Sequence, residues 1–204
     1  MKRIEVLEAI LPMIEAVPVV VTCAATTREL ASIADRPNHL YLLDSMGLAI
    51  SVATGLALAL DDGPTERVVA IEGDGSLLMN LNALATLGFL APEKIIVVLL
   101  DNGVYGSTAD VPTYAGKLDL ADMARSVGAV VSVASDRAGV VKALRRAFAE
   151  PGPHFLHVRI ESGNATCPLF LPDPVALKAR FEAWLAGHVR LQDAVDNRTM
   201  RRPR

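Results

Sequence analysis

Cysteine, basic charge and long apolar runs are all scarce in this sequence, and each shortage excludes a class of protein. Two of the 204 residues are cysteine, Cys23 and Cys167, too few and too widely spaced for a disulfide framework or a zinc site. The formal net charge is −3, so the chain lacks the basic face that nucleic-acid and membrane-surface binders need. We therefore expect neither nucleic acid nor a membrane as a partner.

The longest apolar run, Gly47 to Leu60, is rich in small residues. It falls short of the ~20 residues that a helix needs to cross a bilayer. No charged-then-apolar leader precedes the first helical pattern. Together with the few cysteines, these features predict a chain without membrane segments in a reducing cytoplasm.

Apolar residues, by contrast, are abundant, at 51% of the chain. Short β-branched runs alternate with patterns of helical spacing, and six runs are predicted strands: 18–23, 40–43, 67–71, 95–100, 129–134 and 154–160. This alternation predicts an α/β fold, a doubly wound and mainly parallel sheet with helices on both faces. We expect one domain over residues 1–187, followed by a basic, flexible tail at residues 188–204.

Helix boundaries are predicted from caps and apolar spacing. Thr26 or Thr27 is a candidate N-cap for a short helix ending near Ala34. A leucine stripe from Leu77 to Leu87 predicts one helix, which begins near Ser76.

Oxygen-bearing side chains follow two of the predicted strands. Asp74 lies between Gly73 and Gly75 after the third strand, and Asp101 and Asn102 follow the fourth. The carboxyl ends of parallel strands meet at one edge, where glycines allow close backbone approach and helix N-termini attract anions. The Asp74 carboxylate would repel a bare phosphate. The pattern therefore favours a cation that lies between this carboxylate and a bound phosphate. Either motif alone can be an ordinary turn; together they predict a metal–diphosphate site in an exposed loop.

The sequence Gly73-Asp74-Gly75-Ser76, followed by Asp101-Asn102, resembles the diphosphate-binding motif of thiamine-diphosphate enzymes, which usually ends in two asparagines. The resemblance implies thiamine diphosphate and Mg²⁺ as cofactors. Its metal-binding asparagine matches Asn102, so the implied metal ligands are Asp74, Asn102 and the carbonyl of Val104.

The segment from Leu42 to Leu60 extends this resemblance. Met46 matches the apolar residue that bends the cofactor, and the Met46 N–H and Asp44 carbonyl match groups that hold its aminopyrimidine. A buried methionine at a helix start is the alternative. The implied cofactor contacts are Asp44, Ser45, Met46, Gly73, Asp74, Gly75, Ser76, Asn102, Val104, Tyr105 and Gly106.

Downstream segments, 102–113 and 154–165 with 172–181, are similar to the cofactor-binding halves of sulfopyruvate and phosphonopyruvate decarboxylases. Those relatives tend to carry Gly, Asn or Gln where this chain has Ala109, Asp110 and Val111. Asp110 is therefore expected to influence which substrate is accepted, since its charge repels an anionic one.

The glutamate that activates the cofactor in this family lies on a separate pyrimidine-binding domain, for which this sequence has no room. The resemblance thus implies a partner chain, the α subunit, in an α2β2 or larger complex. No catalytic residue is assigned within this chain. Glu72 is expected to be a solvated or capping carboxylate, and the four histidines to have core or surface roles.

The function that follows is the cofactor-binding subunit of a heteromeric decarboxylase, which converts a small acidic 2-oxo acid to an aldehyde and CO2. One alternative is an acetolactate-synthase-like carboligase subunit. Another is a non-catalytic α/β binding subunit, although a scaffold has no need for Asp74, Asn102 and Met46 together.

Overall fold

Six parallel strands form the central sheet of the molecule. The structure is a computed structural model that describes residues 1–63 and 65–188. The sheet strands are β1 (Val19–Val21), β2 (His39–Tyr41), β3 (Val68–Gly73), β4 (Ile95–Asp101), β7 (Val130–Ala134) and β8 (His154–Arg159). A separate antiparallel hairpin consists of β5 (Val104–Tyr105) and β6 (Val111–Pro112). The order in the sheet is β2-β1-β3-β4-β8-β7, and the predicted parallel architecture is confirmed.

Eight α-helices surround this sheet in the described ranges: α1 (Arg3–Ile10), α2 (Ala25–Ala34), α3 (Ala49–Ala59), α4 (Asp74–Met79), α5 (Asn82–Leu90), α6 (Leu120–Ser126), α7 (Arg137–Ala149) and α8 (Pro174–His188). Two short 3-10 helices, Leu11–Met13 and Tyr114–Gly116, lie between them. Alternate strand side chains enter two separate cores. Val97 and Leu99 of β4 pack in the cluster that includes α3, α5 and α6, whereas Ile96, Val98 and Leu100 pack in the cluster with α1, α2 and α7. Helices therefore cover both faces, as the apolar runs without polar alternation predicted.

The strand order reverses beside β1. The chain passes from β1 to β2 on one side and then to β3 on the other. In open parallel sheets, ligands bind beyond the carboxyl ends of the strands at such a reversal point. The segments that follow β1 and β3 therefore flank the place where a ligand site is expected.

Two predicted helix boundaries are wrong. Helix α2 begins at Ala25 with Ala24 as N-cap and no side-chain cap bond, while Thr27 lies inside the helix and donates its hydroxyl to the Thr22 carbonyl. The predicted single helix from Ser76 to Leu87 is two helices, α4 and α5. The helix is interrupted at Asn80, whose side-chain amide donates to the Gly47 carbonyl at 2.8 Å. A tertiary hydrogen bond thus overrides the leucine stripe.

Helix α8 extends through His188, and the rest of the predicted tail, residues 189–204, lies outside the described residues. Every helix within residues 1–63 and 65–188 is too short or too polar to span a bilayer.

Ala91 provides a test of the local backbone. It ends α5 in the left-handed region, with φ +42° and ψ +52°. A β-carbon is disfavoured there, whereas glycine is not, so Ala91→Gly should raise the free energy of unfolding by about 0.5–1 kcal/mol in urea titrations. The matched control, Ala179→Gly in the exposed interior of α8, should lower it by about 1 kcal/mol. Destabilisation by both changes would contradict the left-handed cap.

Candidate functional site

A cavity of about 90 Å³ lies at the reversal point of the sheet. Segments that follow β1, β2, β3 and β4 contribute to its walls, so distant parts of the sequence meet there. All but two of the predicted contact residues line it, namely Met46, Gly73, Asp74, Gly75, Ser76, Asn102, Val104, Tyr105 and Gly106. The structure therefore brings the two strand-end motifs together in one site.

The two other predicted contacts lie nearby. Asp44 lines an adjacent cavity of about 280 Å³, which shares Cys23, Ala24 and Arg28 with the first. Ser45 lines neither cavity, and its hydroxyl donates to the Leu43 carbonyl at 3.3 Å. Asp44 thus lines the neighbouring cavity, whereas Ser45, between Asp44 and Met46 in the chain, lines neither.

Asp74 is buried, with 2% of its surface exposed, which corrects the predicted exposed loop. The hairpin of β5 and β6 leads to Thr113, whose hydroxyl donates to Asp74 Oδ2 at 2.6 Å. Desolvation raises the pKa of Asp74, and the negative charge of Asp101 adds to this, against the Thr113 bond and the Asn102 N–H, which lower it. A buried carboxylate with neutral donors and a second carboxylate nearby is a favourable place for a cation.

The backbone N–H of Asn102 lies next to this carboxylate, and the Asn102 side chain holds its own turn. The side-chain oxygen Oδ1 of Asn102 accepts the Val104 N–H at 3.2 Å, and the backbone N–H of Asn102 lowers the pKa of Asp74. Within the described residues, no group of three or more His, Cys, Asp and Glu side chains could hold a metal. A metal here would therefore need amide and carbonyl oxygens, together with oxygens from a ligand.

The Ser76 hydroxyl joins three of the cavity loops. Ser76 is 6% exposed, and its Oγ accepts the Gly47 N–H at 2.8 Å and lies 3.0 Å from Thr22 Oγ1. Gly47 has φ +76°, and a Cβ there would stand 2.7 Å from Asn80 Cβ. Only glycine fits this turn, which places Met46 at the cavity wall.

The Tyr105 ring packs against the Asp74 loop. A Cβ added at Gly75 would lie 2.4 Å from the Tyr105 ring and 3.3 Å from the Thr113 methyl carbon. Gly75 is therefore required by the close approach of the hairpin. This contact keeps the hairpin over Asp74 and explains the burial of the carboxylate.

Glu72 is fully buried, so its expected solvated role is wrong. Its Oε1 accepts the Gly73 N–H at 3.1 Å, and Oε2 has no hydrogen-bond partner in the described chain. Desolvation raises the pKa of Glu72, while the hydroxyls of Ser76 and Thr22 oppose the shift. The residue lies behind the cavity wall rather than on it.

The histidine prediction holds where side chains are described. His39, His154 and His157 are buried, and none lines the cavity. Desolvation lowers the pKa of His39 to about 4. The side chain of His188 lies outside the description.

The loop between β1 and α2 was missed by sequence reasoning. Residues Thr22 to Thr26 line the cavity, together with Arg28. Ala24 has φ +62°, which is strained for a residue with a β-carbon and is typical of functional loops. Arg3, also on the cavity wall, is bound to buried Glu29 at 2.8 Å, whereas Arg28 has no ion pair in the described chain. A predicted strand order with β1 beside β3 would have indicated this loop, because ligands bind where the order reverses.

Comparisons with known proteins identify the family. Residues 21–158 match the family model for the thiamine pyrophosphate enzyme, C-terminal TPP binding domain. Sulfopyruvate decarboxylase subunit beta of Methanothermobacter thermautotrophicus is 40% identical over 89% of this chain and 94% of that protein. Phosphonopyruvate decarboxylase of Streptomyces hygroscopicus is 36% identical over 92% of this chain and 48% of its own length.

A solved structure shares the fold. The thiamine diphosphate-dependent 4-hydroxybenzoylformate decarboxylase of Rhodococcus jostii RHA1 superposes with a TM-score of 0.64 at 17% identity, over 81% of this chain and 33% of that one. At this identity the likeness shows the fold alone. The family match and the relatives over most of the chain show more: this protein belongs to the thiamine pyrophosphate enzymes and carries their C-terminal TPP-binding domain.

Proposed function

We propose that this chain is the cofactor-binding subunit of a heteromeric thiamine-diphosphate-dependent decarboxylase, which converts a small acidic 2-oxo acid to an aldehyde and CO2. The observation that carries this proposal is the buried Asp74 carboxylate in one cavity with Asn102 and Val104. Relatives named as decarboxylases, one of them a beta subunit, support the reaction and the subunit role. A cytoplasmic location accompanies the proposal.

Asp74, Asn102 and the Val104 carbonyl would hold Mg²⁺, and the backbone around Gly75 and Ser76 would face the diphosphate. Bound thiamine diphosphate supplies the electron sink for decarboxylation. The residues of this chain bind and orient it: Met46 stands at the cavity wall, and the Tyr105 ring shields the metal loop from water. The Asp74 carboxylate is buried and has no positively charged partner among the described residues, which supports a metal ion as its partner.

A second chain is needed to complete the site. The cavity of about 90 Å³ is small beside the ~300–1,000 Å³ of pockets that enclose a whole ligand. No glutamate lies among its described lining residues, and Glu72 is sealed behind them. A pyrimidine-domain partner would supply both the missing wall and the activating glutamate, in an α2β2 or larger assembly.

An anionic substrate is supported by Arg28. This residue lines both neighbouring cavities and has no carboxylate partner in the described chain. Asp110 is exposed at φ +57° and lines neither cavity, so its effect on substrate choice stays a prediction. The carboligase alternative would use the same cofactor site, and no contact in the cavity favours it.

Asp74→Asn should abolish Mg²⁺-dependent cofactor binding while leaving the fold intact. The amide keeps an oxygen for the Thr113 hydroxyl but removes the charged metal ligand. We expect a loss of affinity above ~100-fold in near-ultraviolet circular dichroism titrations of the chain, mixed with its pyrimidine-domain partner, with thiamine diphosphate and Mg²⁺. This exceeds the ~10–100-fold loss that follows when only a hydrogen-bond partner of a metal ligand is changed.

The same variant has a predicted effect on stability. Because the folded-state pKa of Asp74 is raised, the ionised carboxylate destabilises the cofactor-free fold at neutral pH, and this cost disappears as the pH falls through that pKa. Asp74→Asn should therefore melt at the same or a higher temperature than the parent at pH 7. Asp110→Asn, at the exposed hairpin tip, is the control and should change neither the cofactor affinity nor the melting temperature. Parental cofactor affinity in Asp74→Asn would refute the site.

Met46→Ala should separate binding from turnover. The half-buried side chain lines the cavity without a charged contact, so its loss should lower the rate about 10-fold or more and weaken cofactor binding only slightly. Steady-state kinetics at varied cofactor concentration measure both, because the rate at saturation reports turnover and the half-saturating concentration reports binding. Met123→Ala, a partly buried methionine packed on the core away from the cavity, controls for lost packing. Equal losses of binding and rate would point to a core defect instead.

The purified chain should have no decarboxylase activity until the pyrimidine-domain chain is added. The missing glutamate and the incomplete cavity are the reasons. Light scattering after size exclusion, on each chain and on the mixture, tests assembly, and a CO2-release assay tests turnover. Full turnover by the 204-residue chain alone would mean that an acid within it replaces the partner's glutamate.

A further inference from the structure

A buried histidine is linked to the proposed metal loop. His157, 3% exposed on β8, lies with its Nε2 2.7 Å from Asp101 Oδ2 at the end of β4. In the parallel register His157 is opposite Leu99, two residues before Asp101, so both side chains belong to the same face of the sheet. The pair stands directly beside Asn102.

Both carboxylate oxygens of Asp101 are used within the protein. While Oδ2 bonds His157, Oδ1 accepts the Gly103 N–H at 3.0 Å, and the Asp101 carbonyl accepts the Ile160 N–H at 2.8 Å. An asparagine, which the resembling motif carries here, offers a single acceptor oxygen and an amide donor. The carboxylate can therefore hold the turn and the histidine at the same time.

The turn connects onward to Asp74. The Gly103 carbonyl accepts the Thr113 N–H at 2.9 Å, and the Thr113 hydroxyl donates to Asp74 Oδ2 at 2.6 Å. A continuous hydrogen-bonded path thus runs from His157 through Asp101, Gly103 and Thr113 to the proposed charged metal ligand. Asn102 lies inside this path and cannot shift unless the turn moves.

We propose that His157 and Asp101 form a positioning pair, which fixes the turn carrying Asn102 and Val104 so that their oxygens and the Asp74 carboxylate converge on one metal ion. This inference rests on the proposed function. The Nδ1 atom of His157 has no hydrogen-bond partner in the described chain. The one hydrogen bond of the ring is therefore that between Nε2 and Asp101, at the start of the turn that carries Asn102. Partners that orient metal ligands in this way commonly change metal affinity ~10–100-fold.

The test uses Mn²⁺ as a probe, because its electron paramagnetic resonance reports free and bound metal directly. The full chain, mixed with its pyrimidine-domain partner and thiamine diphosphate, is titrated with Mn²⁺. His157→Phe keeps the ring volume but removes the donor, and should weaken Mn²⁺ binding about 10-fold. His157→Gln restores an N–H donor and should bind within about threefold of the parent.

His154→Phe is the matched control. His154 lies on the same strand with 4% exposure, but its ring bonds the Glu150 carbonyl near the opposite end of β8. Its replacement should leave Mn²⁺ affinity unchanged, with a change in melting temperature like that of His157→Phe. Parental affinity in His157→Phe, equal losses in both Phe variants, or no rescue by His157→Gln would overturn the inference. Absence of Mn²⁺ binding by the parent would overturn the proposed function with it.

Discussion

The Ser76 hydroxyl is the contact on which the geometry of the cavity depends. It holds the Gly47 N–H and lies beside Thr22, so a single side chain joins the loops that follow β1, β2 and β3. Asn80 secures the other side of Gly47 and breaks the leucine-rich helix to do so. Because these loops belong to distant parts of the sequence, their meeting relies on the strand order and on this buried contact. Because Ser76 and Asn80 hold Gly47, they also keep the preceding residue, Met46, at the cavity wall.

The burial of two carboxyl groups is the second constraint. Glu72 and Asp74 are almost inaccessible, and desolvation raises the pKa of each carboxyl. Their partners are neutral hydroxyls and backbone N–H groups, which reduce the cost of burial without cancelling it. A fold that keeps Asp74 in this state gives up stability in the cofactor-free form. A cation bound in the proposed site would recover it, so metal binding would be coupled to folding stability at this residue.

Much of this architecture could be predicted from the sequence, because unbroken apolar runs report burial on both sheet faces and glycine–aspartate turns report strand ends. The burial of Asp74 could not, since it depends on Thr113, 39 residues away, and on a hairpin of two-residue strands. The break at Asn80 and the His157–Asp101 bond likewise arise from tertiary contacts. The loop after β1 carries no distinctive motif, and only the strand order places it at the site.

In the proposed site, one metal ion held by Asp74, Asn102 and Val104 anchors the cofactor at the edge of the sheet. Crystals of the assembled complex with Mn²⁺ and thiamine diphosphate, measured at the manganese absorption edge, test it most directly. We expect an anomalous peak bonded to the Asp74 carboxylate, the Asn102 amide oxygen and the Val104 carbonyl, next to the diphosphate. Bound cofactor with the manganese peak at other residues, or with no peak at these three, would contradict it.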